Sequence, residues 1–296
     1  MEAQLHSSER PAPGARGMND VTQSQWLTVI EGSAPVILSV PHAGIEIPAH
    51  YSQHLLSPWL ARKDTDWWVD RLYDFAPALG VTVVRTALSR TIVDPNRDPS
   101  GASLYPGQST TALCPTTTFD GEALYPQGGE PDSAEIEARR GRYFDPYHAG
   151  LIGQIERLRR AHPAIVLYDC HSIRSVIPRL FAGVLPNCNI GTYEGASCSA
   201  QLAAAVETAC ESSGMSWVTN GRFKGGYITR HHGKPGRGIH AIQMELACRG
   251  YMSEPDTCTP ENWPPDYDEK RAARMRGLLT RILESCISFA RGAAAR

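Results

Sequence analysis

Two kinds of segment alternate along the chain, short dense apolar runs and longer stretches with helical spacing. The runs fall at residues 35–40 ("PVILSV"), 81–85 ("VTVVR"), 164–168 ("AIVLY"), 216–219 ("SWVT") and 239–246 ("IHAIQMEL"), each about as long as a covered β-strand. Between them, Val69, Leu72, Tyr73 and Ala76 follow the i, i+3, i+4, i+7 rule, with Gly80 where a helix should stop. Tyr147, Leu151, Ile155 and Leu158 give a second stripe, residues 202–210 a third that ends near Gly214, and residues 268–290 a long C-terminal helix. Strands separated by helices predict an α/β fold, a mostly parallel mixed sheet with helices on both faces. Residues 1–20 lack periodicity and predict a disordered leader before a single α/β domain over residues 21–296. Residues 95–131 are rich in Gly, Pro and Thr, and a loop this long inside one domain is usually functional or an irregular insertion.

Composition narrows the function classes. At 296 residues and 42% hydrophobic content the chain has ample material for a core. A net charge of −2, from 29 basic and 31 acidic residues, carries no broad footprint for nucleic acid or an anionic membrane, so a small molecule is the expected partner. The apolar runs are far shorter than the roughly 18 residues that span a bilayer, and the start lacks an apolar signal core, so a soluble cytoplasmic protein is expected. The eight cysteines form no CxxC pair and read as reduced, mostly buried residues.

In open α/β sheets ligands bind beyond the carboxyl ends of the strands. Two histidines lie there: His42 in "PHAG" after the first run and His171 in "DCHS" after the third. Neutral imidazole is a common metal ligand, and a catalytic zinc usually takes three protein ligands while one position stays open. A carboxylate in "KDTDWWVDRL", Asp66 or Asp64, would complete a set of two histidines and one carboxylate; Asp66 is preferred, since Asp64 or Thr65 also reads as a helix N-cap. A water activated at such a site needs a base. Glu245 is the candidate, because it ends an otherwise apolar strand and shares a face with Gln243, where an unpaired carboxylate is costly. The alternative is an ion pair with Arg249. Asp169 is placed to orient an imidazole. In "LSRTIVDPNRDP", Arg90, Asp94, Asn96 and Arg97 lie close together, and Arg with Asn reads as a carboxylate-binding set. Arg230, His231 and His232, in the glycine-rich stretch 225–238, suggest a lid, a second anion contact or a surface hairpin.

These motifs resemble the N-formylglutamate amidohydrolases. "SVPHAGIEIP", "DTDWWVDRLYDF", "SRTIVDPNRDPSG", "YDCHSIRS" and "FKGGYITRHHGKPGRGIHAIQMELACRGYM" carry the resemblance, with "LYPGQ", "PRLFAG" and "NIGT", over residues 40–252. It implies a zinc-exopeptidase-like α/β fold and hydrolysis of N-formyl-L-glutamate to formate and L-glutamate, a step of histidine breakdown. It also implies a divalent metal ion, zinc by expectation, on His42, Asp66 and His171. In related deacylases of N-acyl aspartate an Asp-Leu-Asn-Arg run binds the substrate carboxylate; here it reads "DPNR", with Pro95 at the Leu position. Glu245 is then the catalytic base, and Arg90, Asn96, Arg97 and Arg230 the substrate contacts.

Rival readings are a deacylase or carboxypeptidase of another N-acyl amino acid, and a non-catalytic binding protein that kept the fold. A cysteine hydrolase using Cys170 and His171 is disfavoured, because neighbours on an extended strand point to opposite faces.

Overall fold

Side-chain alternation along the central strands decides how the chain packs. The computed structural model describes residues 26–104, 107 and 109–292; the leader expected over residues 1–20 lies outside them. The strands are β1 (Leu27–Ile30), β2 (Val36–Val40), β3 (Thr82–Thr86), β4 (Ile165–Ile173), β5 (Cys188–Gly191), β6 (Trp217–Thr219) and β7 (Ile239–Ala247). They form one sheet in the order β1-β3-β2-β4-β7-β5-β6. The pairs β2/β3, β2/β4, β4/β7 and β5/β6 are parallel, whereas β1/β3 and β5/β7 are antiparallel, so the sheet is mixed as expected.

The helices are α1 (Ala49–Ser52), α2 (Leu60–Lys63), α3 (Val69–Leu72), α4 (Ser133–Arg139), α5 (Asp145–Arg159), α6 (Ala200–Ser212), α7 (Tyr227–His232) and α8 (Glu269–Gly292). One sheet face presents Val36, Leu38, Val166, Tyr168, Ile242 and Met244 to a core closed by α3, α6 and α8. The opposite face presents Ile37, Val84, Ile165, Leu167 and Ala241 to the α5 stripe of Tyr147, Leu151, Ile155 and Leu158. On α8, Met275, Leu278, Leu279, Ile282, Leu283 and Cys286 are buried at helical spacing. Each of these large side chains contributes roughly 1.5–3 kcal/mol by leaving water.

Three expectations are corrected. β4 does not stop at Tyr168 but runs to Ile173, so His171 lies within the strand rather than beyond it. The helix expected over residues 65–80 breaks into the four-residue α3 and a 3-10 turn, Ala76–Leu79. Trp68 precedes α3 with φ 64°, a left-handed conformation that no α-helix continues through, and Pro77 opens the 3-10 turn. The stretch 225–238 is not a free hairpin, because α7 occupies Tyr227–His232.

All eight cysteines are free thiols, and seven are buried. Among the described residues no helix is long and apolar enough to cross a membrane.

Candidate active site

The chemistry continues the rows of side chains that face α5. Along β4 that row reads Ile165, Leu167, Asp169, His171, and along β7 Ile239, Ala241, Gln243, Glu245. The register aligns Asp169 with Gln243 and His171 with Glu245. Beyond them Ile173 and Ala247 join a small apolar cluster with Phe119, Ile177 and Leu185. A polar patch is thus set between two apolar ones on the innermost strand pair. Cys170 points the other way, into the α8-side core, where its thiol donates to the Ser39 carbonyl (2.9 Å) and burial pushes its pKa well up. A nucleophilic Cys170–His171 pair is therefore excluded by geometry.

His42 lies two residues past the end of β2, and its carbonyl accepts the Asp66 backbone N–H at 3.0 Å, which hooks the two segments together. Gly44 makes the close passage possible, since a Cβ there would sit 2.4 Å from the Ala87 backbone. His42 Nδ1, Asp66 Oδ2 and His171 Nδ1 converge from three segments, with edges of 3.1 Å (His171 to His42), 3.2 Å (His171 to Asp66) and 3.6 Å (His42 to Asp66). All three side chains are buried, and the group could hold a metal ion. Donors about 2.0–2.1 Å from one tetrahedral ion stand about 3.3 Å apart, which these edges bracket.

Each imidazole is oriented from behind. His42 Nε2 faces Asp94 Oδ1 at 2.6 Å, and His171 Nε2 faces Asp169 Oδ2 at 2.9 Å, so each ring donates outward and turns its Nδ1 lone pair to the common point. Two such lone pairs 3.1 Å apart repel unless a cation lies between them. Asp66, Asp94 and Asp169 gather three buried carboxyl groups around this point, a setting that suits a cation. Burial opposes ionisation of Asp66 and Asp94, but the two histidines outweigh it for Asp66, and Arg97, His42 and Arg90 do so for Asp94; both carboxyls are held below the ordinary range. For His171 burial works against the charge, yet Asp169 and Asp66 raise its pKa well above normal. These residues fit a divalent metal.

Asp64, the alternative ligand, is elsewhere. It accepts the Phe119 N–H (2.6 Å) and pairs with Arg174 (3.2 Å), fixing the wall that Phe119 forms.

Glu245 is buried beside His171 with Gln243 Nε2 3.4 Å from its Oε2, and burial pushes its carboxyl up to about 8 against the pull of His171, Arg90 and Arg97. The charges that face it are these and Asp66, not Arg249. A cavity of about 330 Å³ opens in front, reaching His42, His171, Glu245, Arg97 and Arg222. Residues 98, 101–104 and 109–113 form part of its wall, so the long loop flagged in the sequence does shape the site.

The residues expected to bind substrate separate into different places. Arg90 lines the cavity but donates to Asp94 (2.6 Å) and Asp66 (3.4 Å), with its guanidinium 5.0 Å from the centre of the Phe119 ring. Asn96 accepts the Ile228 N–H (2.8 Å) and donates to Asp169 (3.3 Å). Arg97 reaches the cavity, held by Thr111 Oγ1 (2.9 Å) and its carbonyl (3.1 Å). Arg230 does not line the cavity; its Nε bonds the Gly225 carbonyl and its guanidinium lies over Tyr193. Sequence reasoning did not single out Arg222, a lone arginine in a loop whose place against the cavity only the fold creates.

The sequence profile of the N-formylglutamate amidohydrolase family matches residues 34–252. The chain is 40% identical over 264 residues to the N-formylglutamate deformylase of Pseudomonas putida, covering 89% of this chain and 96% of that protein. It is likewise 40% identical over 266 residues to the enzyme of that name from Pseudomonas aeruginosa, covering 90% and 97%. The crystal structure of N-formylglutamate amidohydrolase from Ralstonia eutropha JMP134 superposes with a TM-score of 0.74 at 22% identity, covering 90% of this chain and 99% of that one. A gene product of Agrobacterium tumefaciens superposes at 0.66 and 18%, covering 88% and 94%. Profile, relatives and shared fold together establish that this chain belongs to the N-formylglutamate amidohydrolase family.

Proposed function

We propose that the protein removes the formyl group from N-formyl-L-glutamate, giving formate and L-glutamate, with His42, Asp66 and His171 holding a divalent ion. The observation that carries this reading is the buried triangle of two carboxylate-anchored imidazoles and Asp66, open to a cavity that also holds Glu245 and arginines. Zinc is the ion we favour, because two nitrogens, one oxygen and a near-tetrahedral face suit it. When bound, the ion supplies Lewis-acid polarisation of the formyl oxygen and acidifies water at the site.

The chain's own residues do the rest. Glu245 takes the proton of the attacking water and returns it to the leaving amine nitrogen, a cycle suited to a carboxyl pushed up toward neutral pH. Arg90 binds Asp66 of the triangle and Asp94 behind His42, and so holds their oxygens in place. Asn96 ties Asp169 to α7 through Ile228. Arg97 takes a substrate carboxylate, which converts loose association into a fixed angle of attack. Phe119, Ile173 and Leu180 supply apolar wall that excludes bulk water from the reacting groups. Free buried thiols suit a reducing cytosolic location.

The test is release of formate and glutamate from N-formyl-L-glutamate with and without a chelator, with N-acetyl-L-glutamate alongside. Chelator-sensitive turnover of the formyl compound, restored by zinc, is expected. Turnover of the acetyl compound alone would move the protein to another deacylase specificity, and silence on both would overturn the catalytic reading.

A further inference from the structure

N-formyl-L-glutamate carries two carboxylates, and the site described so far accounts for one of them. The cavity is lined by three arginines: Arg90, Arg97 and Arg222. Arg90 is committed to Asp66 and Asp94. Arg97 lies near the reacting groups, 3.7 Å from Asp94, the carboxylate behind His42. Arg222 is held on another segment, the loop after β6, where its Nε donates to the Leu180 carbonyl (2.9 Å) and its Nη2 to the Ser109 carbonyl (3.0 Å).

The two guanidiniums share a support. Arg97 is anchored on Thr111 and Arg222 on Ser109, two residues apart, so the Cα atoms of the two anchoring residues are separated by at most about 7 Å. The two carboxyl carbons of an extended glutamate stand about 5 Å apart. Leu180 and Phe223, beside Arg222 in the wall, offer apolar surface for the methylenes between them. The acidic rim residue Asp98 is turned to Ser100, whose N–H and hydroxyl it accepts at 2.9 and 2.6 Å.

From this placement, and resting on the deformylase reading above, we infer that Arg222 binds the side-chain carboxylate of the substrate while Arg97 binds the α-carboxylate. The formamide nitrogen is attached next to the α-carboxylate, which assigns that group to the arginine nearer the metal triangle and leaves the distal one to Arg222. Arg222 then sets the preference for an acidic side chain and takes no part in bond making.

The experiment compares N-formyl-L-glutamate with N-formyl-L-norvaline, which keeps the α-carboxylate and drops the second one, in the metal-loaded wild type, Arg222→Gln, Arg222→Lys and Arg97→Gln. Loss of a charge-assisted contact in Arg222→Gln should lower kcat/KM for the glutamate substrate roughly 10- to 100-fold, mainly through KM, and leave the norvaline substrate within about threefold. Arg222→Lys should fall between, and Arg97→Gln should impair both substrates. Inhibition by glutarate, measured against butyrate, should weaken in Arg222→Gln by the same factor as the selectivity, a binding readout independent of turnover. Equal loss on both substrates, or unchanged selectivity and glutarate inhibition, would overturn the assignment while the deformylase reading stands. Absence of N-formyl-L-glutamate turnover in the wild type would overturn both.

Discussion

Two buried histidines outside the metal triangle should make the fold lose stability in mild acid. His148 on α5 donates from Nε2 to the Pro95 carbonyl (2.9 Å), so its Nδ1 accepts from His232 Nε2 of α7 (2.9 Å). This chain of bonds needs His148 neutral, burial keeps His232 neutral beside it, and the pair braces the segment that carries Asn96 and Arg97. Burial depresses His148 from 6.5 to about 4, against the pull of the Pro95 carbonyl, and burial together with His148 depresses His232 to about 2. Both folded values lie below the unfolded value, so below pH 6.5 the unfolded chain binds protons that the folded chain refuses, and stability falls as pH falls. Each ring then costs about 2 kcal/mol between pH 7 and pH 5, and the pair about 4 kcal/mol. The perturbation is the double variant His148→Gln/His232→Gln. Urea unfolding of the metal-free protein, wild type against variant at pH 7 and pH 5, cancels the titration of every other group. The variant should lose about 3–4 kcal/mol less than the wild type over that interval. Equal losses in the two proteins would refute the neutral-pair argument.

Glu245→Gln should lower turnover by about 10²- to 10⁴-fold while metal content by elemental analysis stays unchanged. In the wild type the base works only when ionised, and its raised pKa puts the acid limb of kcat/KM above the ordinary carboxylate range and no higher than about 8, read from a pH–rate profile. Asp169→Asn removes the carboxylate behind His171 and should weaken metal affinity about 10- to 100-fold in a competition titration with a chromophoric chelator. Gly226→Ala would place a Cβ 2.3–2.5 Å from the Asn96 amide; it should destabilise by about 1–3 kcal/mol in thermal melts and reduce activity, whereas full activity with an unchanged melt would disprove the close packing.

The parts of the fold and site legible in the sequence are those governed by period and local chemistry. The core strands β2, β3, β4 and β7 announced themselves by apolar density, and α5, α6 and α8 by their stripes. β1 and β5 did not: four residues each, one half-exposed at a sheet edge and the other carrying Asn189, they gain their strand character from the neighbours they pair with. Polar residues usually end a strand, which puts the expected end of β4 at Tyr168, whereas Asp169, His171 and Ser172 lie inside a strand whose polar stretch lines the site. Asp66, His42 and His171 were recognisable as donor types near strand ends, but only tertiary structure separates Asp66 from Asp64. Arg230 and Arg222 illustrate the limit. Arg230 lies in the short helix α7 and Arg222 in the loop after β6, and no periodic signal tells which one the chain folds toward the cavity.

The alignment of His171 with Glu245 across β4 and β7 divides the labour of the molecule between parts that can and cannot change. The hydrolytic groups ride on the two innermost strands, where a shift of one residue would turn every side chain of the row to the opposite face. Much of the cavity wall comes from two loop segments, one holding residues 101–104 and 109–113 and the other Arg222 and Phe223, which line the site without carrying the sheet's register. New acyl or amino-acid preferences can therefore arise by loop substitution over an inherited engine, and a directed-evolution library confined to those two segments should vary specificity while leaving the hydrolytic machinery intact.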